Sequence, residues 1–160
     1  MAEPTTYHRP SRAFRWFARA PELAFRLGLG ALFGRRLCML THLGRTSGLV
    51  RRTVLEVVEE DRARHTVLVA SGFGVSQWLR NIRATAPVRL DVGGEHWAPT
   101  VRELALDERA AVLTRYQAAH PRAASALGEK LLGTPFDGSP GSAAALAVQT
   151  PVVELGMPAS

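Results

Sequence analysis

The run L-G-R-T-S-G-L-V-R-R-T-V-L, Leu43 to Leu55, sets a small polar turn with arginines on both sides directly before an apolar strand. Leu37 to His42 upstream reads as a strand, and so does Arg52 to Glu59. In the latter Thr53, Leu55 and Val57 share one face while Val54, Glu56 and Val58 share the other. Glu60 to Arg64 supplies a turn, and the strand His65 to Ala70 is close enough to pair with its predecessor. Ser71-Gly72-Phe73-Gly74 ends that strand, and Gln77 to Thr85 reads as a short helix leading to Pro87. Val88 to Val92 and Glu95 to Glu103 predict a hairpin, because Gly93-Gly94 takes the positive φ values of a two-residue type I′ turn. Pro99 in the return strand marks a bulge or an edge.

Asp107 is expected to cap a helix with Val112, Leu113, Tyr116 and Ala119 on one face, stopping near His120-Pro121. An alanine-rich helix runs on to Leu132, Gly133 to Gly141 reads as a loop, and Val152 to Leu155 as a last strand. At the other end, residues 1–11 read as a lead-in, and Arg12 to Phe33 as two short helices divided by Pro21, a cover packed on the rest. Strands joined mainly by hairpins, with few inserted helices, predict a mainly β, α+β small barrel rather than parallel β-α-β winding.

The chain has 160 residues, 46% of them apolar, which suits one domain with a core of its own. A lone cysteine, Cys38, excludes an intramolecular disulfide and a cysteine cluster, and points to a reducing, cytoplasmic setting. Its apolar neighbours make Cys38 a core residue. The N-terminus lacks the pattern of a secretory signal. The longest apolar stretch, Leu23 to Leu40, is broken by Arg26, Arg35 and Arg36, short of the roughly 18 apolar residues of a membrane span.

Charge is unevenly placed. Residues 1–52 hold ten arginines against Glu3 and Glu22, a balance of +8, whereas residues 53–160 balance at −2. Nineteen of the twenty basic residues are arginine, whose planar fork suits phosphate and carboxylate. Arginines among Phe14, Trp16 and Phe17 leave peripheral contact with an anionic membrane through residues 1–20 open. The same interleaving admits nucleic acid, but no zinc-finger or RNA-binding motif supplies a scaffold, so a small anionic ligand ranks ahead of it.

Two segments carry chemistry. In Gly44 to Thr53, successive amides with the Thr46 and Ser47 hydroxyls can cradle an anion, and Arg45, Arg51 and Arg52 can add charge-assisted bonds; a solvated hairpin loop satisfies the same local sequence. In Ala70 to Asn81, a glycine loop between strand and helix can bring backbone donors to a ligand. The third glycine of a dinucleotide fingerprint is missing there. Trp78 and Asn81 share a helix face, with core packing and loop anchoring as their structural roles. The five histidines lack metal-ligand spacing, and no hydrolase elbow occurs, so no metal site and no catalytic side chain is assigned.

Taken in order, the two segments resemble the deazaflavin-dependent nitroreductase family, the F420-binding branch of the split β-barrel flavin-binding proteins. Gly44-Arg45-Thr46-Ser47-Gly48 with Arg51-Arg52-Thr53 matches its G-R-x-S-G region, and Ser71-Gly72 with Trp78-Leu79-Arg80-Asn81-Ile82-Arg83-Ala84 and Pro87-Val88 matches its W-x-x-N-L-x-A-x-P-x-V region. Thr46 stands where a lysine is common, Val54 where a proline is frequent, and Ile82 replaces leucine. The resemblance covers roughly residues 35–157. It implies an FMN-binding-like split barrel over 35–157 with a basic helical segment, 1–34, on the barrel or near the cofactor. It further implies hydride transfer from reduced F420 to a small electron-poor acceptor such as a quinone, enone or nitro compound. Arg45, Thr46, Ser47, Arg51 and Arg52 are then phosphate or tail ligands, Ser71, Gly72 and Gly74 lie nearer the ring, and Gly48, Thr53, Trp78 and Asn81 complete the cofactor site. The tyrosines found on the substrate side of some members have no equivalents around Ala123, Ala124 and Leu127. An F420 carrier without turnover, an FMN- or haem-binding split barrel, and a homodimer stay open.

Overall fold

The computed structural model describes residues 23–72 and 74–158. The lead-in, the first of the two N-terminal helices and the membrane-contact segment 1–20 lie outside them. Residues 23–26 are helical and Gly30–Phe33 forms a 3-10 turn. The strands are β1 Leu37–Leu43, β2 Val50–Asp61, β3 Thr66–Ala70, β4 Arg89–Val92, β5 Glu95–Trp97, β6 Thr100–Glu103 and β7 Val152–Gly156. The helices are α1 Gln77–Ala84, α2 Leu106–Ala119, α3 Pro121–Leu132 and α4 Pro140–Gln149.

All seven strands join one sheet in the order β5-β4-β1-β2-β3-β7-β6, every pair antiparallel. The return strand expected over Glu95 to Glu103 is divided. Its first part pairs with β4, its second with β7 at the far edge, and only Ala98 and Pro99 lie between. Three Cα steps span at most about 11 Å. The two edges of the sheet must therefore approach each other, and the sheet curls into a split barrel. Pro99, with no N–H for a ladder, occupies the corner. Gly93 and Gly94 take φ of 57° and 83°, as the two-residue turn requires.

Period-2 alternation sorts the side chains. Cys38, Leu40, Leu55, Val67, Val69, Leu90, Val92, Trp97, Val153 and Leu155 fill the barrel, and Trp78, Leu79 and Ile82 of α1 join the same core. Leu68 and Val152 point the other way, against Leu104 and Val112, so α2 covers the outer face of β3 and β7. Phe136 and Leu146 join Leu113 and Ala124 in a separate cluster among α2, α3 and α4. Cys38 is fully buried, and burial, with the nearby charge of Glu60, pushes its thiol up to about 12, so it is a packing residue.

Two local expectations are corrected. The cap of α2 is Ala105 rather than Asp107: Glu108 reaches back to accept the Ala105 N–H at 2.9 Å, and Asp107 falls inside the first turn. The loop ends at Ser139, because Pro140 is the first residue of α4, where its missing N–H costs nothing, and Ser139 caps it by accepting from Ser142 N–H at 3.4 Å. The run Ala143 to Val148 then favours helix.

Candidate functional site

The β1–β2 hairpin ends in a tight loop closed by Gly44 N–H to Leu49 O at 2.8 Å and Gly48 N–H to Gly44 O at 2.7 Å. A Cβ on Gly44 would stand 2.7 Å from Ser47 Oγ, so the serine folds back only over glycine; its hydroxyl also accepts Leu49 N–H at 3.3 Å. Closed in this way, the loop leaves the N–H groups of Thr46 and Ser47 without an acceptor among the described residues. They are a ready pair of anion donors.

Beside that loop opens a cleft of about 470 Å³. Of the residues named from sequence, it brings together Arg45, Thr46, Ser47, Arg51, Arg52, Thr53, Trp78 and Asn81. Gly48, at φ 67°, shapes the loop next to it. Arg45 is held by neutral partners, its guanidinium bonding Gln77 Oε1 at 2.9 Å and Asn81 Oδ1 at 3.0 Å, and among the described residues no carboxylate pairs with it. Arg51 and Arg52 have no carboxylate partner among the described residues, whereas Arg35, Arg83, Arg102 and Arg115 are each held by glutamates. Strand register puts Arg51 on the face of His42 and Thr53, and Arg52 on the opposite face with Thr41. Positive charge is thus concentrated where donors are free.

Ser71, Gly72 and Gly74 are not part of this cleft. Ser71 is buried and organises its own loop, its hydroxyl bonding Gly74 O and Ser76 Oγ and accepting Ser76 N–H. Gly72 lines a second, more apolar cleft of about 310 Å³ between the outer face of β2 and β3 and helices α2 and α3. Tyr116 stands there with its hydroxyl donating to Glu56 at 3.2 Å. Burial, then the Glu56 charge and hydrogen bond, push the phenol up to about 12. Thr150 Oγ1 is fully buried at the same cleft and has no hydrogen-bond partner among the described residues.

His42 and Gln77 are cleft residues that the motifs do not reveal. The available signal for His42 was its parity with Cys38 and Leu40, a polar side chain at an inward-facing position. It is 2% exposed. Burial, reinforced by the charge of Arg51 and opposed by a hydrogen bond with the Leu43 backbone, holds the imidazole below its ordinary value, so the ring is neutral near pH 7.

The profile of the F420H(2)-dependent quinone reductase family matches residues 15–128. The chain belongs to this family. It is therefore an F420H2-dependent reductase, with coenzyme F420 as its cofactor and a quinone as the acceptor class the family names. A solved F420-H2 dependent reductase, FDR-A, is 22% identical, with a TM-score of 0.50 over 76% of this chain and 95% of that one. A protein solved as a domain-swapped dimer is 22% identical, with a TM-score of 0.54 over 90% and 99%. An Agrobacterium tumefaciens protein of unknown function is 18% identical, with a TM-score of 0.51 over 95% and 58%. These likenesses bear on the fold, and they agree with the curled antiparallel sheet. No curated protein matches the sequence. The cleft's chemistry is compatible with an anionic cofactor of this kind: among the described residues, Arg45, Arg51 and Arg52 have no carboxylate partner and the Thr46 and Ser47 N–H groups no acceptor.

Proposed function

We propose that the arginine-lined cleft grips the phosphate and oligoglutamate tail of F420, and that the apolar cleft beside Gly72 takes the ring side and the electron acceptor. The observation that carries this reading is the pair Arg51 and Arg52, which among the described residues have no carboxylate partner and lie next to Thr46 and Ser47 N–H groups without an acceptor. Bound there, reduced F420 supplies a hydride from C5 of its deazaflavin. The chain supplies placement: Arg45 fastens the loop to α1, Ser71 holds its own loop through bonds to Gly74 and Ser76, and α2 and α3 shield the acceptor side from water. Quinones lead the acceptors, with enones and nitro compounds as further electron-poor candidates. Residues 1–34 are read as a basic cover on the 35–157 barrel; liposome sedimentation with and without residues 1–20 tests whether that cover also meets a membrane.

Fluorescence titration with F420, FMN and FAD, followed by oxidation of reduced F420 by quinone, enone and nitro acceptors, tests the assignment. Saturable binding selective for F420 is expected; its absence in folded protein overturns the reading. Arg51→Ala should weaken F420 by about tenfold, in line with a hydrogen bond to a charged group, and should cost much less with an analogue whose glutamate tail is removed. Equal losses with both ligands would assign Arg51 elsewhere. Tyr116 keeps its proton at neutral pH and can turn its O–H from Glu56 to an acceptor oxygen. Tyr116→Phe is expected to lower kcat with a quinone by about a hundredfold, the lower end of general-acid effects, with F420 affinity unchanged. An unaltered kcat removes Tyr116 from the chemistry.

A further inference from the structure

The hydrogen bonds at the floor of the arginine cleft run in one direction. Asn81, 7% exposed, accepts two bonds at Oδ1, from the Arg45 main-chain N–H at 3.2 Å and from its guanidinium at 3.0 Å. An amide oxygen facing two donors leaves the NH2 group facing His42 Nδ1, at 3.2 Å. A ring nitrogen that accepts such a bond carries no proton, so the imidazole proton sits on Nε2. That nitrogen lies 3.1 Å from Thr53 Oγ1, to which this tautomer would donate. The proton of the Thr53 hydroxyl then has no acceptor among the described residues, and Thr53 lines the cleft. The opposite tautomer would set the Asn81 amide against a second donor and let Thr53 turn its proton inward, toward the ring.

Resting on the cofactor reading above, we propose that His42 is a positioning residue: fixed as the Nε2–H tautomer between Asn81 and Thr53, it turns the Thr53 hydroxyl proton into the cleft as a donor to an anionic oxygen of the cofactor. Arg45 begins this chain, so the residue that carries charge at the loop also orders the hydroxyl on the facing strand. The neutral state of the buried ring agrees with it, and Arg51, opposite His42 in the strand register, disfavours a second positive charge there.

The first test needs no cofactor. Long-range 15N–1H correlation on histidine-labelled full-length protein, with His42 assigned by its loss in His42→Gln, should show a protonated Nε2 and a bare Nδ1; a bare Nε2 overturns the proposal. The second is a double-mutant cycle read by F420 titration. Thr53→Val should weaken F420 by about tenfold in the wild-type background, as for a bond to a charged acceptor, but by less than about twofold in His42→Leu. His42→Gln, whose amide can accept from Asn81 and donate to Thr53, should keep affinity near wild type and preserve the full Thr53→Val effect. A tenfold effect in both backgrounds overturns the role of His42. Should His42→Leu fail to fold, the tautomer and the His42→Gln comparison still decide. Failure of the wild-type protein to bind F420 would sink the cofactor reading instead, with the tautomer result standing apart from it.

Discussion

Asn81→Ala is expected to lose about 3 kcal/mol of stability and to weaken F420 by about thirtyfold. The side chain is nearly buried and serves three bonds, two from Arg45 and one to His42. Truncation strands the Arg45 main-chain N–H and the inward-facing His42 nitrogen, and each orphaned polar group costs roughly 1–3 kcal/mol. The affinity falls further than the loss of one contact would allow, because the hairpin loop is no longer fastened to α1 and Thr53 loses its oriented donor. Urea denaturation and fluorescence titration of the same preparation separate the two effects. A variant as stable as the wild type would show that the net holds nothing together, and one that binds F420 undiminished would take the cleft away from the cofactor.

Gly128→Ala should destabilise the protein by about 3 kcal/mol, the upper end of ordinary overpacking. A Cβ there would lie 2.3 Å from Phe136 N, 2.7 Å from Phe136 Cβ and 2.8 Å from Thr134 O. Two of those neighbours are main-chain atoms, which cannot swing aside as a side-chain tip does. Phe136 is 2% exposed and anchors the helical cluster, so α3 must move, and with it Leu127 in the wall of the apolar cleft. Gly141→Ala is the control: it sits in α4 with nothing within 4 Å of the new carbon, and helix propensity favours alanine by roughly 0.5–1 kcal/mol. Thermal unfolding of both variants distinguishes a steric cause from a general intolerance of change; equal small shifts would refute the tight contact.

Legibility followed distance along the chain. The strands over Leu37 to Ala70 and the Gly93-Gly94 turn depend on alternation and on backbone conformations that only glycine adopts cheaply, and both are local properties of the sequence. Helix α4 is not expected from the sequence although its signals are local as well, since Pro140 can open a helix or break one, and only the Ser139 cap and the packing of Ala143 and Leu146 show which. The division of the last hairpin was beyond reach for another reason. Thr100–Glu103 continues the pattern of Glu95–Trp97, and its partner, β7, begins some fifty residues later.

The sequence by itself determined which residues form strands, that glycines close the loop after β1, and that arginines gather beside it. Only the tertiary structure decided that Asn81, thirty-six residues from Arg45, completes that loop, and that His42 rather than a motif residue stands between Asn81 and Thr53. The physical reason is the curl of the sheet. Side-chain direction along β1 and β2 follows from period-2 alternation, but where α1 meets their ends depends on a curled sheet whose two edge strands are linked through Ala98 and Pro99, which no local pattern encodes.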